Sequence, residues 1–278
     1  MAASSSPPGV VRSAARVAVG VYLGMMLAAA ALADGLIFQP PPASYTQELP
    51  GLLRLETSQG DTVAALHLPA AESSPGDAPT VLFAHGNAED LGDLMPYLER
   101  YRRLGASVMA FDYPGYGLSS GRPSEQGAYA AADAAYRYLV GVMGVPPRSI
   151  VPHGRSLGGG VLVDLAARSE VGALIVESSF VSAYRVMTRW RILPMDQFQS
   201  LRKLSDVSAP VFVIHGTRDE VIAPWHGRRL AEAVPESRRT TLWVEGAMHN
   251  DLVDRGGTAY WEALQRFLSS TVSGLRAP

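Results

Sequence analysis

The sequence predicts an α/β fold with a mostly parallel central sheet and helices on both faces. From about residue 51 onward, short β-branched apolar runs alternate with helical patterns, as expected for strands buried between two helical layers. Apolar residues make up 47% of the 278 positions and charged residues 18%, which is enough to build a sizeable core. The length is compatible with one large α/β domain.

Eight segments are predicted as strands because each is short, apolar and rich in β-branched side chains. They are residues 52–57, 62–68, 80–84, 107–112, 149–153, 173–177, 211–215 and 240–244. Apolar side chains at helical spacing from Leu91 to Leu104 predict one helix between them. A second helix is predicted over residues 128–142, with Ser124 as its N-cap.

The N-terminal region differs in composition from the rest. Residues 17–33 contain no charged side chain, follow Arg12 and Arg16, and end before Asp34. At about 1.5 Å per residue this segment spans roughly 25 Å, between the length of a signal-peptide core and that of a membrane-spanning helix. We expect residues 1–35 to anchor the protein in a membrane. A signal peptide cleaved after Ala33 and an amphipathic leader are the alternatives.

The charges around this segment also predict where the domain lies. The two arginines before it favour a cytoplasmic N-terminus, so we expect the remaining chain to be exported and either tethered or, after cleavage, released. Residues 36–50 contain three consecutive prolines at 40–42 and are expected to form a stiff linker. Residues 51–278 form the predicted catalytic domain.

Composition excludes several kinds of chemistry and partner. The chain has no cysteine, so it forms no disulfide, thiolate metal site or cysteine nucleophile. Its formal net charge of -2, without a basic stripe interleaved with aromatic residues, predicts no binding to nucleic acid. The sequence predicts no particular oligomeric state.

A G-x-S-x-G sequence at residues 154–158 follows the fifth predicted strand and precedes a helical pattern. In that context the serine lies on a sharp strand-to-helix turn with its hydroxyl exposed, and the glycines let neighbouring backbone pass closely. The turn also directs backbone N–H groups and a helix N-terminus at a reacting carbonyl. Ser156 is therefore the predicted nucleophile, with a purely structural turn serine as the alternative.

A serine of this kind needs a histidine base, and both the base and its carboxylate follow the serine in the chain. Three of the six histidines precede the serine and are excluded as the base by chain order: His67, His85 and His153. Two more are excluded because His215 ends a predicted strand and His226 lies in a helix after Pro224. His249 remains, on a short loop after the last predicted strand. It is the predicted general base.

Two carboxylates, Asp219 and Glu220, follow the seventh predicted strand, at the sheet edge where functional groups collect. Asp219 is the predicted acid because its shorter side chain suits a fixed loop beneath the imidazole. Glu220 is the adjacent alternative, whereas Asp251 lies too close to His249 in the chain.

The predicted oxyanion hole consists of the backbone N–H groups of Asn87 and Leu157, with Ala88 as the alternative to Asn87. Residues 85–90 follow a central strand and open a helix, which is where the second donor of such sites is found. Residues 112–117 lie at the same edge of the sheet and are interpreted as a rigid structural turn.

Five motifs together resemble those of a known family: residues 36–40, 85–90, 112–117, 154–159 and 249–251. The family is the membrane-associated α/β-hydrolases, which include the bud-emergence-type hydrolases and the depalmitoylating protein thioesterases of animals. The resemblance covers about residues 36–272. It implies the α/β-hydrolase fold, a triad of Ser156, Asp219 and His249, and an oxyanion donor at Asn87. The chain lacks the N-terminal cysteine cluster of the depalmitoylating members.

Residues 181–208 are expected to form a short helical lid. Phe180, Trp190 and Met195 are candidate substrate-binding residues, and packing of the lid onto the domain is an equally good interpretation of them. The expected reaction is hydrolysis of a carboxylic ester or thioester through an acyl-enzyme, on a small-molecule or lipid-like substrate and without cofactor or metal. The alternatives are a serine peptidase or amidase and a hydrolase-like binding module without activity.

Overall fold

The computed structural model describes residues 34–71, 78–188 and 196–271, together with positions 13, 16, 17, 19–22, 24 and 26. Within these residues, no helix combines the length and the apolar character needed to cross a membrane. Most of residues 17–33, on which the expectations of an anchor or a signal peptide depend, lie outside the described part of the chain, as does Ala33.

The described residues contain eight strands that form one sheet. The strands are β1 (Leu52–Glu56), β2 (Thr62–Leu68), β3 (Thr80–Ala84), β4 (Ser107–Phe111), β5 (Ile150–Arg155), β6 (Leu174–Glu177), β7 (Val211–Gly216) and β8 (Arg239–Val244). Their order in the sheet is β1-β2-β4-β3-β5-β6-β7-β8. The two pairings made by β2 are antiparallel and the others are parallel. This confirms the predicted fold class.

Helices cover both faces of the sheet. They are α1 (Leu91–Arg103), α2 (Glu125–Arg137), α3 (Leu157–Arg168), the single turns α4 (Tyr184–Met187) and α5 (Ser200–Lys203), α6 (Trp225–Ala233) and α7 (Leu252–Thr271). Buried side chains of α2, α3 and α6 pack on one face, and those of α1 and α7 pack on the other. Successive residues of β3 alternate between these two layers, which explains why the strand is apolar throughout.

Local signals account for the bounds of α2. The Ser124 hydroxyl accepts a hydrogen bond from the Gly127 N–H at 3.0 Å, so this serine is the N-cap, as predicted. The α-helix ends at Arg137 and continues as a π-helical turn, Tyr138–Val142. The apolar pattern therefore extends to residue 142 although the α-helix itself is shorter.

Residues 36–50, expected to be a linker, contact the domain through two aromatic side chains. Phe38 is buried against the rings of Tyr116 and Phe198. Tyr45 is also buried, and its hydroxyl donates a hydrogen bond to the Asp112 carboxylate. This stretch is thus packed onto the sheet edge that carries the candidate site.

Because His226 in α6 is buried, we expect the free energy of unfolding to depend on pH. Its Nδ1 accepts a hydrogen bond from the Val181 N–H at 3.2 Å, and its ring stacks on Trp225. Burial lowers the pKa of His226 to about 4, whereas an unfolded histidine titrates near roughly 6.5. As the pH falls through this window, the unfolded chain binds the proton first, so the native state loses stability.

We expect the variant His226→Asn to lack this loss, because asparagine keeps an acceptor near the Val181 N–H but does not titrate. Urea unfolding at about pH 7 and pH 4.5 measures the effect. The free energy of unfolding of the wild type should exceed that of the variant by more at pH 7 than at pH 4.5. An equal difference at both values would show that His226 does not bring about the dependence.

Candidate active site

Ser156 lies on the turn between β5 and α3 in a strained backbone conformation. Its φ of 53° and ψ of -113° lie in a region that non-glycine residues rarely adopt. A Cβ atom at Gly154 would lie 2.2 Å from the carbonyl oxygen of Gly158, and one at Gly158 would lie 2.0 Å from that of Ala84. Glycine is therefore required on both sides of the serine for this turn to form.

The structure brings together the three side chains predicted from the sequence. His249 Nε2 is 3.1 Å from Ser156 Oγ, and His249 Nδ1 is 2.8 Å from Asp219 Oδ2. The exposed fractions of the three residues are 9% for the serine, 7% for the histidine and 4% for the aspartate. With a proton on Nδ1 donated to the carboxylate, Nε2 is left as the acceptor for the serine proton.

The loop after β7 holds Asp219 in its charged form. Its Oδ1 accepts hydrogen bonds from the backbone N–H groups of Val221 at 3.0 Å and Ile222 at 2.7 Å. The Nε2 atom of His215, 2.8 Å from the Ile222 carbonyl, also lies 3.4 Å from Oδ2. Burial raises the pKa of Asp219, but the hydrogen bonds from His215, His249 and the backbone outweigh it and hold the pKa well below its usual range.

Two neighbouring carboxylates position the loop that carries the histidine. Glu220 accepts a hydrogen bond from the backbone N–H of His249 at 3.3 Å. Asp251 accepts one from the backbone N–H of Met248 at 2.6 Å. The adjacent alternative for the acid thus contacts the histidine backbone, whereas Asp219 contacts the imidazole.

The predicted oxyanion donors flank the serine. A Cβ atom at Gly86 would lie 3.7 Å from the Cβ of Ser156, which places the loop of Asn87 beside this serine. Leu157 is the first residue of α3, so its N–H has no acceptor within the helix. Among the described residues, neither this N–H nor that of Asn87 donates to a protein acceptor. Assignment of Asn87 rather than Ala88 as the second donor remains a prediction.

Residues 112–117, interpreted from the sequence as a structural turn, directly contact the loop that carries Asn87. The Tyr116 hydroxyl donates to Asn87 Oδ1 at 2.7 Å, and the Tyr113 hydroxyl donates to the His85 carbonyl at 2.7 Å. The Asp112 carboxylate accepts the Leu91 N–H, the first of α1, at 3.1 Å. This turn therefore supports the loop that carries Asn87.

The N-terminal motif at residues 36–40 supports the same loop. The backbone N–H of Gln39 lies 2.9 Å from Asn87 Oδ1 and 3.0 Å from the Tyr116 hydroxyl oxygen. Sequence reasoning did not connect these residues with the site. The available indication that residues 36–40, 85–90 and 112–117 meet was that all three motifs belong to the same family resemblance.

The structure describes one of the three candidate substrate-binding residues. Phe180 is buried in the layer formed by α2 and α3, with its ring 6.4 Å from that of Phe198 in an edge-to-face contact. Trp190 and Met195 lie outside the described residues, so substrate binding by all three stays a prediction. No three His, Asp or Glu side chains in the described part of the chain are grouped as metal ligands.

A serine on this strained turn, after the fifth strand of a mostly parallel sheet, places the protein among the α/β hydrolases. An esterase from Pyrococcus furiosus has the same fold, with a TM-score of 0.70 and 17% identity over 85% of this chain and 98% of its own. The identity is low, so this likeness concerns the fold.

Relatives in sequence identify the family. The chain is 40% identical to α/β hydrolase domain-containing protein 17C of Xenopus tropicalis over 222 residues, which cover 78% of the chain and 69% of the relative. It is 38% identical to protein 17B of Homo sapiens over 222 residues, covering 79% and 75%. No protein-family model matches the chain. The chain belongs to the α/β hydrolase domain-containing protein 17 family, and it is a hydrolase.

Proposed function

We propose that the protein hydrolyses carboxylic ester or thioester bonds through an acyl-enzyme formed on Ser156. The observation that carries this proposal is the continuous hydrogen-bonded chain from Ser156 through His249 to Asp219. This arrangement activates a serine hydroxyl, which is otherwise a weak nucleophile.

In the first half of the reaction, Ser156 Oγ attacks the carbonyl carbon and its proton passes to His249 Nε2. The bond to the leaving oxygen or sulfur then breaks, and His249 donates the proton to that atom. In the second half, water attacks the acyl-enzyme and gives a proton to His249, which returns it to Ser156 as the carboxylic acid leaves. Asp219 stays ionised and stabilises the imidazolium in both halves.

Negative charge develops on the carbonyl oxygen in each half. The N–H groups of Asn87 and Leu157 are proposed to bind this oxygen, and the N-terminal end of α3 adds a favourable dipole. Removing one such donor typically lowers kcat by about a hundred- to a thousand-fold.

The proposed substrates are small-molecule or lipid-like acyl esters. The resemblance to a family with protein thioesterases supports this class, and so does the fold shared with an esterase. The proposed chemistry uses no cofactor or metal, because the serine, the histidine and the backbone donors supply every group that the reaction needs.

A substrate panel on the purified full-length protein tests the proposal. We expect p-nitrophenyl esters and matching acyl thioesters to be hydrolysed with a much larger kcat/KM than amino-acid amides, and a fluorophosphonate probe to label the protein. Faster cleavage of the amides would instead support a peptidase. Absence of both labelling and turnover would support a binding module and contradict the proposal.

We also propose that the domain is exported and tethered through residues 1–35. The support is Arg12 and Arg16 ahead of the uncharged segment 17–33. Membrane fractionation combined with N-terminal sequencing tests it, with the intact chain expected in the membrane fraction. A soluble protein beginning at Asp34 would contradict the tether, and a domain protected from protease added outside the membrane would contradict export.

A further inference from the structure

We propose that Arg155 is a positioning residue that holds the serine turn, the loop of Asn87 and the loop of His249 in fixed relative positions. The inference rests on the proposed function. Arg155 is the last residue of β5 and directly precedes Ser156. Its side chain points to the loops that carry the oxyanion donor and the histidine. It occupies the first of the two variable positions of the G-x-S-x-G motif, and the proposed chemistry does not otherwise use it.

The Arg155 guanidinium contacts three elements of the site at once. It forms an ion pair with Glu89, in the loop that carries Asn87. Its Nη2 atom lies 3.4 Å from Asn250 Oδ1, next to the histidine, and its Nε atom lies 3.7 Å from Glu177 Oε1 at the end of β6. A single side chain therefore connects the serine turn to the loop of Asn87, to the loop of His249 and to the end of β6.

Glu89 carries the connection to the oxyanion donor. One of its carboxylate oxygens pairs with Arg155, and the other accepts the backbone N–H of Gly86 at 2.9 Å. Gly86 immediately precedes Asn87, so its orientation sets the direction of the peptide group that bears the Asn87 N–H. Displacing Glu89 would leave the Gly86 N–H without this acceptor and loosen the residue that precedes Asn87.

Glu177 provides a fixed anion behind the arginine. It is fully buried, and its Oε2 accepts hydrogen bonds from His153 at 3.1 Å and from Tyr260 in α7. Burial raises the pKa of Glu177, but His153 and the charge of Arg155 outweigh it and lower the pKa below its usual range. Arg155 thus rests against a carboxylate that is attached to the core and stays ionised.

The geometry requires the shape of arginine as well as its charge. A guanidinium presents several N–H donors in one plane, whereas a lysine ammonium is a compact point charge. Contacts to Glu89, Glu177 and Asn250 in three directions suit the planar group. The Arg155 side chain is 18% exposed and borders a cleft of about 690 Å³ between α1 and α7, so a shorter or unbranched side chain has room there.

Steady-state hydrolysis of p-nitrophenyl butyrate by the full-length protein tests the inference. We expect Arg155→Met to lower kcat by about ten- to a hundred-fold, because misplacement by about 1 Å can cost a hundred-fold in rate. KM should change little, since the inference assigns the arginine a positioning role and no contact with the substrate. Arg155→Lys keeps the charge and should recover part of the loss while remaining below the wild type.

The matched control is Arg168→Met, which also removes a guanidinium from two carboxylates, Asp133 and Asp164, on the α2 and α3 face. We expect it to keep the wild-type kcat. The second test measures Glu89→Gln alone and combined with Arg155→Met. The double variant should lose no more activity than Arg155→Met alone, because both changes break the same connection.

Three results would overturn the inference: wild-type kcat in Arg155→Met, an equal loss in Arg168→Met, or additive losses in the double variant. Circular dichroism at the assay temperature establishes that each variant is folded. If Arg155→Met does not fold, Arg155→Lys decides, and its wild-type kcat would overturn the inference. Ser156→Ala in the same assay separates the two proposals, because turnover at the wild-type level in that variant contradicts the proposed function whatever the arginine variants do.

Discussion

Ser156→Ala is expected to abolish labelling by a fluorophosphonate probe and to lower ester turnover by roughly a million-fold, the loss seen when a serine protease loses its nucleophile. Without Oγ no acyl-enzyme forms, and only catalysis by the oxyanion donors and by substrate binding remains, about a thousand-fold over water. The change removes one oxygen atom, which lies 3.1 Å from His249 Nε2, and leaves the backbone unaltered, so we expect the fold and the melting temperature to be nearly unchanged.

Ser205→Ala is the control for this experiment. Ser205 donates its hydroxyl to the Arg202 carbonyl on the exposed surface, far from the turn in sequence, and its loss should leave labelling and turnover at wild-type values. Turnover in Ser156→Ala equal to that of the wild type would contradict the assignment of the nucleophile.

Asp219→Asn is expected to lower kcat by about ten-thousand-fold, and Glu220→Gln by far less. The asparagine amide donates to His249 Nδ1 and so favours the tautomer with its proton on Nε2, which cannot accept the serine proton. Glutamine at position 220 keeps an oxygen that accepts the His249 backbone N–H. The pair is compared by steady-state kinetics with a chromogenic ester.

The comparison also locates the acid. Both variants remove one negative charge from the same loop, so a general electrostatic effect would lower their activities alike. A larger loss in Glu220→Gln than in Asp219→Asn would mean that the acid lies one position further along the chain than we propose.

Local patterns in the sequence predicted the eight strands, and they singled out the three side chains that meet in the candidate site. The limits of these patterns appear at β5, which was predicted to end at His153 but continues to Arg155. Gly154 and Arg155 pair with Val176 and Glu177 of β6. A glycine followed by an arginine lacks the apolar pattern of a buried strand, so only the pairing partner shows that the strand continues.

Contacts between distant segments were not predictable in the same way. Arg155 and Asn250 are 95 residues apart in the chain, and Gln39 and Asn87 are 48 apart. Arg155 meets Asn250 because the loop after β8 reaches back past β7 and β6 to the end of β5. Asn87 follows β3, which lies between β4 and β5 in a sheet order that departs from the chain order. No periodicity or spacing in the sequence encodes that order, which depends on which strands pair.

The sequence by itself determined the fold class and the chain order of the proposed serine nucleophile, acid and histidine base. Both depend on local requirements: alternation of buried strands and helices, and glycines where a side chain would collide with backbone. Only the tertiary structure decided what supports the site, because this support consists of hydrogen bonds and ion pairs between loops at one sheet edge. Arg155 therefore acquires its contacts with Glu89 and Asn250 only once β3, β5 and the loop after β8 lie side by side.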